Sequence, residues 1–89
     1  MSPEQKEMLR DALLASLAVS FPLSLPLATL RMAARAAGFN IDDAALSSHV
    51  GYLVGKDLAE TSSAKLSTAV TRCKATAAGI DYCESARLI

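Results

Sequence analysis

Three features of this chain predict a mainly α domain with one small β-hairpin, in the order α-(β)-α-α-β-β-α. The first half carries apolar residues at helical spacing, interrupted by prolines and a glycine. A third helical stretch then runs into Leu58-Ala59-Glu60-Thr61, where the pattern becomes extended. After the polar stretch Ser62-Ser63-Ala64-Lys65, a second extended segment, residues 69–75, leads to a last helix opening at Thr76-Ala77-Ala78-Gly79.

The 89 residues are enough for a single domain, 1–89. Apolar residues make up 52% and aromatic residues only 4%, so the core has to be built from Leu, Ala, Val and Met. That composition favours packed helices over a sandwich, and with modest charge it excludes a compositionally disordered chain.

Ser2 before Pro3 and Glu4 reads as an N-cap with proline at the first helical position. Met8, Leu9, Ala12, Leu13, Leu17 and Ala18 then recur every three or four residues, carrying the helix to about Val19. Leu14 and Ala15 widen its apolar arc. Such an arc serves either the core alone or the core and a partner, with Leu14, Leu17 and Phe21 as the assembly surface.

Phe21-Pro22 ends that helix, because proline cannot continue it and biases the residue before it to extended geometry. Leu23-Ser24-Leu25 alternates as a short strand does. Pro26 suits the first turn of a second helix that buries Leu27, Leu30, Ala33, Ala34 and Ala37 and stops at Gly38.

Asp42 is the expected N-cap of the third helix, which spans residues 42–56. Ile41 and Leu46 are spaced for a hydrophobic staple, and Leu46, Val50 and Leu53 form the inner face. Beyond the polar stretch, Val70-Thr71-Arg72-Cys73 alternates with β-branched residues, as a strand does. Thr76 caps the closing helix, which turns Ile80, Cys83 and Ala86 or Leu88 inward.

This order resembles a winged helix-turn-helix domain, as found in bacterial regulators of the multiple-antibiotic-resistance and metal-sensor repressor kinds. Leu46-Ser47-Ser48-His49-Val50-Gly51-Tyr52-Leu53 looks like the recognition helix, and Leu58-Ala59-Glu60 like the first wing strand. Arg72-Cys73-Lys74-Ala75-Thr76-Ala77-Ala78-Gly79 resembles the end of the wing and the start of the closing helix. The resemblance covers about residues 26–84. Lone domains of this kind are common in phage and prophage proteins.

The resemblance implies double-stranded DNA as partner, with helix 42–56 in the major groove and wing 58–75 on the backbone. Ser47 and Ser48 would bond phosphates or base edges, and Tyr52 a phosphate. Lys65, Arg72 and Lys74 would neutralise phosphates around the wing. The expected protein is a small transcriptional regulator, homodimeric through its first and last helices.

Charge points both ways. Net charge is zero, whereas nucleic-acid binders usually carry a basic surplus. Residues 42–60 hold Asp42, Asp43, Asp57 and Glu60 against Lys56, while residues 62–76 hold Lys65, Arg72 and Lys74 with no acid. The face that would read bases has no Arg, Asn or Gln, and Asp42 and Asp43 would repel a phosphate. Gly51 in mid-helix costs roughly 1 kcal/mol relative to Ala, so close approach of another backbone is one reason for it. The alternative is a protein-interaction or assembly module that keeps the fold without DNA binding.

Blander readings apply to single residues. Ser47 and Ser48 also suit plain solvated helix surface, and Lys65, Arg72 and Lys74 a solubilising hairpin. His49 reads as a partly buried histidine beside Val50, with a DNA or metal contact as the alternative.

Cys73 and Cys83 with the one histidine lack zinc-site spacing, so no metal or cofactor is expected. The thiols read as reduced packing residues of a cytoplasmic protein, because the N-terminus lacks the pattern of a secretory signal. Ala12–Ala28, broken by two prolines, is no membrane span. No nucleophile elbow, P-loop or dinucleotide fingerprint is present, and an enzyme is not expected.

Overall fold

Local capping defines the first helix. The Ser2 hydroxyl accepts the Gln5 amide at 3.1 Å and the Gln5 side chain accepts the Ser2 amide at 2.9 Å. This reciprocal box, with Pro3 in the first turn, starts α1 (Pro3–Ser20). The structure, a computed structural model, describes residues 1–63 and 71–89. Lys65 and the expected strand start at residues 69–70 therefore lie outside the described residues.

β1 (Leu25–Pro26) follows α1, and α2 (Leu27–Ala36) begins directly after it. The expected strand at Leu23–Leu25 is thus displaced toward Pro26, which serves as N-cap rather than first-turn residue of α2. Pairing decides this, because Leu25 stands opposite Cys73 and Pro26 opposite Arg72 of a later strand. Beyond the C-cap Ala37 the chain turns away from α2 at Gly38, whose φ of +96° suits a residue without a β-carbon. The Phe39 amide then reaches back to the Ala34 carbonyl at 2.9 Å and closes the helix end.

α3 (Asp43–Gly55) starts at Asp42, whose carboxylate accepts the Ala45 amide at 2.7 Å. Its buried face is Leu46, His49, Val50 and Leu53, and Ile41 packs against the core just before it. The helix ends on Asp57 at φ 60°, with the Leu58 amide bonded to the Leu53 carbonyl at 3.0 Å.

β2 (Ala59–Ser63) and β3 (Thr71–Ala75) pair antiparallel, with Thr61 opposite Cys73. β3 is central, giving the strand order β1-β3-β2. Ser62 and Ser63 belong to the strand rather than to the polar connection expected there. Their pairing with Arg72 and Thr71 outweighs the weak strand preference of serine.

α4 (Ala77–Ser85) opens on Thr76, whose hydroxyl accepts the Gly79 amide at 3.0 Å and donates to the Asp57 carbonyl at 2.6 Å. One threonine thereby caps α4 and ties it to the end of α3.

The described residues form four helices and a three-stranded antiparallel sheet, a mainly helical arrangement. α1 packs against α2, α3, α4 and β3. This corrects the expected assembly surface on the first helix. Leu14 and Leu17 are fully buried with Leu9 and Leu13, because the domain itself covers the wide apolar arc. Of the expected surface only Phe21 is exposed, while Met8 and Val19 mark the outward side of α1.

Candidate nucleic-acid interface

The 3.6-residue period of α3 separates two faces. Leu46, His49, Val50 and Leu53 turn to the core, leaving Ala44, Ser47, Ser48, Gly51 and Tyr52 exposed. The two serines are thus accessible to a partner, as expected. A β-carbon at Gly51 or Gly55 would meet nothing within 4 Å, so this surface is shallow and open to close approach.

One edge of that face continues into the sheet. Ser47, Gly51, Thr61 and Thr71 line a depression of about 240 Å³ over Leu27, Val50 and Val54. Hydroxyls from a helix and two strands line one depression, where each can donate to or accept from a polar partner.

The other edge differs. The Arg10 guanidinium of α1 lies over the Tyr52 ring, 3.6 Å from its centroid, with the Lys56 ammonium at 5.7 Å. Arg10 Nε also donates to Nδ1 of His49 at 3.3 Å, which requires the imidazole to be neutral at that nitrogen. Burial holds the His49 pKa below its ordinary value, and the Arg10 and Lys6 charges lower it further. His49 is therefore a core histidine with a partner on α1. Tyr52, one turn beyond Ser48 on the exposed side of α3, has its ring engaged by the cations Arg10 and Lys56.

The basic residues expected around the hairpin are described in two cases. Arg72 is exposed, and its guanidinium donates to the hydroxyl and carbonyl of Ser24 at 3.0 and 2.9 Å. Lys74 pairs with Glu60 at 3.1 Å directly across the strands. Both cations are partly neutralised or oriented by their own domain. Arg31 of α2 likewise pairs at 2.9 Å with Asp43, offsetting the acid at the start of α3. Exposed pairs of this kind contribute about 0.2–1 kcal/mol, so an approaching phosphate can displace them.

Sequence reasoning missed Arg10, Ser24 and Glu60 as neighbours of these residues. The first two lie 39 and 48 positions from their partners, beyond any local pattern. Glu60 opposite Lys74 follows from the register, which the extended segments do not specify by themselves.

Cys73 and Cys83 are both buried and free. Burial, and then the nearby Glu60 charge, pushes the Cys73 thiol up to about 11, and burial and Asp11 raise Cys83. Among the described residues no group of three or more His, Cys, Asp or Glu side chains could hold a metal ion. Among them, too, no helix is long and apolar enough to cross a membrane. Compared with known proteins, the chain matches no family model, no curated protein and no solved structure.

Proposed function

We propose that this chain is a winged helix-turn-helix module of a small DNA-binding regulator. In this assignment α3 enters the major groove and β2–β3 is the wing beside it. The observation that carries it is the connectivity. A two-residue strand between α1 and α2 pairs with β3, and β2 leaves directly from the end of α3. The exposed Ser47 and Ser48 offer hydroxyls to phosphates or base edges, and Arg72 and Lys74 supply charge from the wing. Pairing of two copies through the first and last helices would use the exposed Met8 and Val19 of α1.

A second function has one specific observation in its favour. The exposed face of α3 between Asp43 and Gly55 carries no cation, whereas phosphate neutralisation dominates DNA affinity. A protein-interaction module on the same fold accounts for that face.

Titration of isotopically labelled protein with mixed-sequence duplex at low salt separates the two. DNA binding gives amide shifts over residues 44–52, 59–63 and 71–75 that fade as salt rises. Glu60→Gln, which releases Lys74, strengthens that binding about two- to fivefold. An absence of shifts at high DNA excess excludes DNA binding and leaves the interaction module.

A further inference from the structure

A cleft of about 470 Å³ lies along the opposite edge of α3 from the Ser47 depression, between α1, the end of α3 and α4. Its volume falls within the range typical of small-molecule sites. The two concavities share no lining residue. The partly buried Leu58 gives the cleft apolar surface above the buried Leu53, and Tyr52 and Tyr82 contribute aromatic rings.

Arg10 and Asp11, consecutive charges of opposite sign on α1, are both held by side-chain partners. Arg10 is fixed by the stack on Tyr52 and by the bond to His49. Only Nε is used in that bond, so the two terminal nitrogens have no hydrogen-bond or ion-pair partner among the described residues. A fixed guanidinium with a free fork is preorganised for a carboxylate. Lys56, 5.7 Å from the same Tyr52 ring, adds a second positive charge.

The remaining charges are Glu7 and Asp11. Asp11 accepts the Tyr82 hydroxyl at 2.8 Å through one oxygen, which leaves the other oxygen for a cation. A ligand of one sign meets attraction from one pair and repulsion from the other. A molecule bearing both charges on a short spacing, with an apolar body, matches the cleft throughout.

We propose that this cleft binds a free α-amino acid with a large apolar side chain. Its carboxylate pairs with Arg10 and Lys56, its ammonium with Asp11 and Glu7, and its side chain lies against Leu58 and the tyrosine rings. Because Tyr52 lies in α3 and Lys56 is its C-cap, the ligand bears directly on the end of that helix. Binding at this cleft does not depend on whether α3 contacts DNA.

The test is an amide-shift titration without DNA, using L-phenylalanine, L-leucine, 3-phenylpropionate and phenethylamine. The amino acids are expected to shift residues 7–11, 52–58 and 82, and each single-charge analogue of phenylalanine to bind about tenfold more weakly. Lys56→Gln weakens L-phenylalanine and 3-phenylpropionate but not phenethylamine, and Asp11→Asn weakens L-phenylalanine and phenethylamine but not 3-phenylpropionate. Two outcomes overturn the proposal. One is no shift with either amino acid at about 10 mM, ten times a millimolar Kd. The other is equal binding of L-phenylalanine and its single-charge analogues.

Discussion

The backbone of Gly79 lies so close beneath the Leu58 carbonyl that no β-carbon fits between them. This contact sets the distance between α4 and the chain leaving α3, and Thr76 reinforces it by accepting the Gly79 amide and donating to the Asp57 carbonyl. Gly79→Ala forces backbone apart from backbone, where no side chain can rotate aside. The expected loss is about 3 kcal/mol, the upper part of the usual overpacking range. In a domain of this size that lowers Tm by roughly 12 °C or more.

Gly51→Ala is expected to act in the opposite direction. The added methyl at Gly51 meets open space on α3, and replacing glycine in a helix interior stabilises by about 0.5–1 kcal/mol. Urea midpoints of the two variants should therefore move in opposite directions. A destabilised Gly51→Ala would show that the open face of α3 is covered. If α3 enters DNA as proposed, the same variant should bind more weakly despite its greater stability, since its methyl would stand where the DNA backbone approaches.

Stability should depend on His49 between neutral and mildly acid pH. The folded protein holds its pKa below the ordinary 6.5 through burial first, then through Arg10 and Lys6 on α1. Between the folded and unfolded values the unfolded chain binds more protons, so stability rises with pH there. It is complete above about pH 6.5 and falls as pH drops through the folded value. Protonation also removes the acceptor that Arg10 uses at Nδ1. Unfolding free energy measured from pH 7.5 to 5.5 should decline, and His49→Gln should flatten that slope. An equal slope in both proteins would assign the decline to other groups.

The two thiols should be inert in the native state. Thiolate is the reactive form, and burial raises both groups, Cys73 to about 11. Treatment with an aromatic disulfide reagent at pH 8 should release no chromophore until urea unfolds the chain, and then two equivalents, one for each cysteine. Rapid reaction of either thiol in the folded protein would contradict its burial.

Much of the fold was legible because its boundaries are local chemistry. Ser2, Asp42 and Thr76 cap the helices expected of them, since each hydroxyl or carboxylate accepts an amide three residues ahead. The strand limits were less legible. Leu25–Pro26 and Ser62–Ser63 are extended because β3 pairs with them, and their own side chains carry little strand preference. At the candidate interface, periodicity was enough to turn Ser47 and Ser48 outward. The partners of Tyr52, Arg72 and Lys74 depended on which segments meet in space.

The sequence by itself thus determined the order of the helices and extended segments, the caps at Ser2, Asp42 and Thr76, the buried stripe of α3 and the burial of both cysteines. Periodicity and capping act within one turn, so they are written along the chain. Tertiary structure alone decided that Leu14 and Leu17 are covered by the domain's own elements rather than by a partner. It alone stacked Arg10 on Tyr52, tied Arg72 to Ser24 and set Tyr82 against Asp11, 71 residues away. Such contacts depend on distance in space, which packing of the whole core establishes and no local spacing encodes.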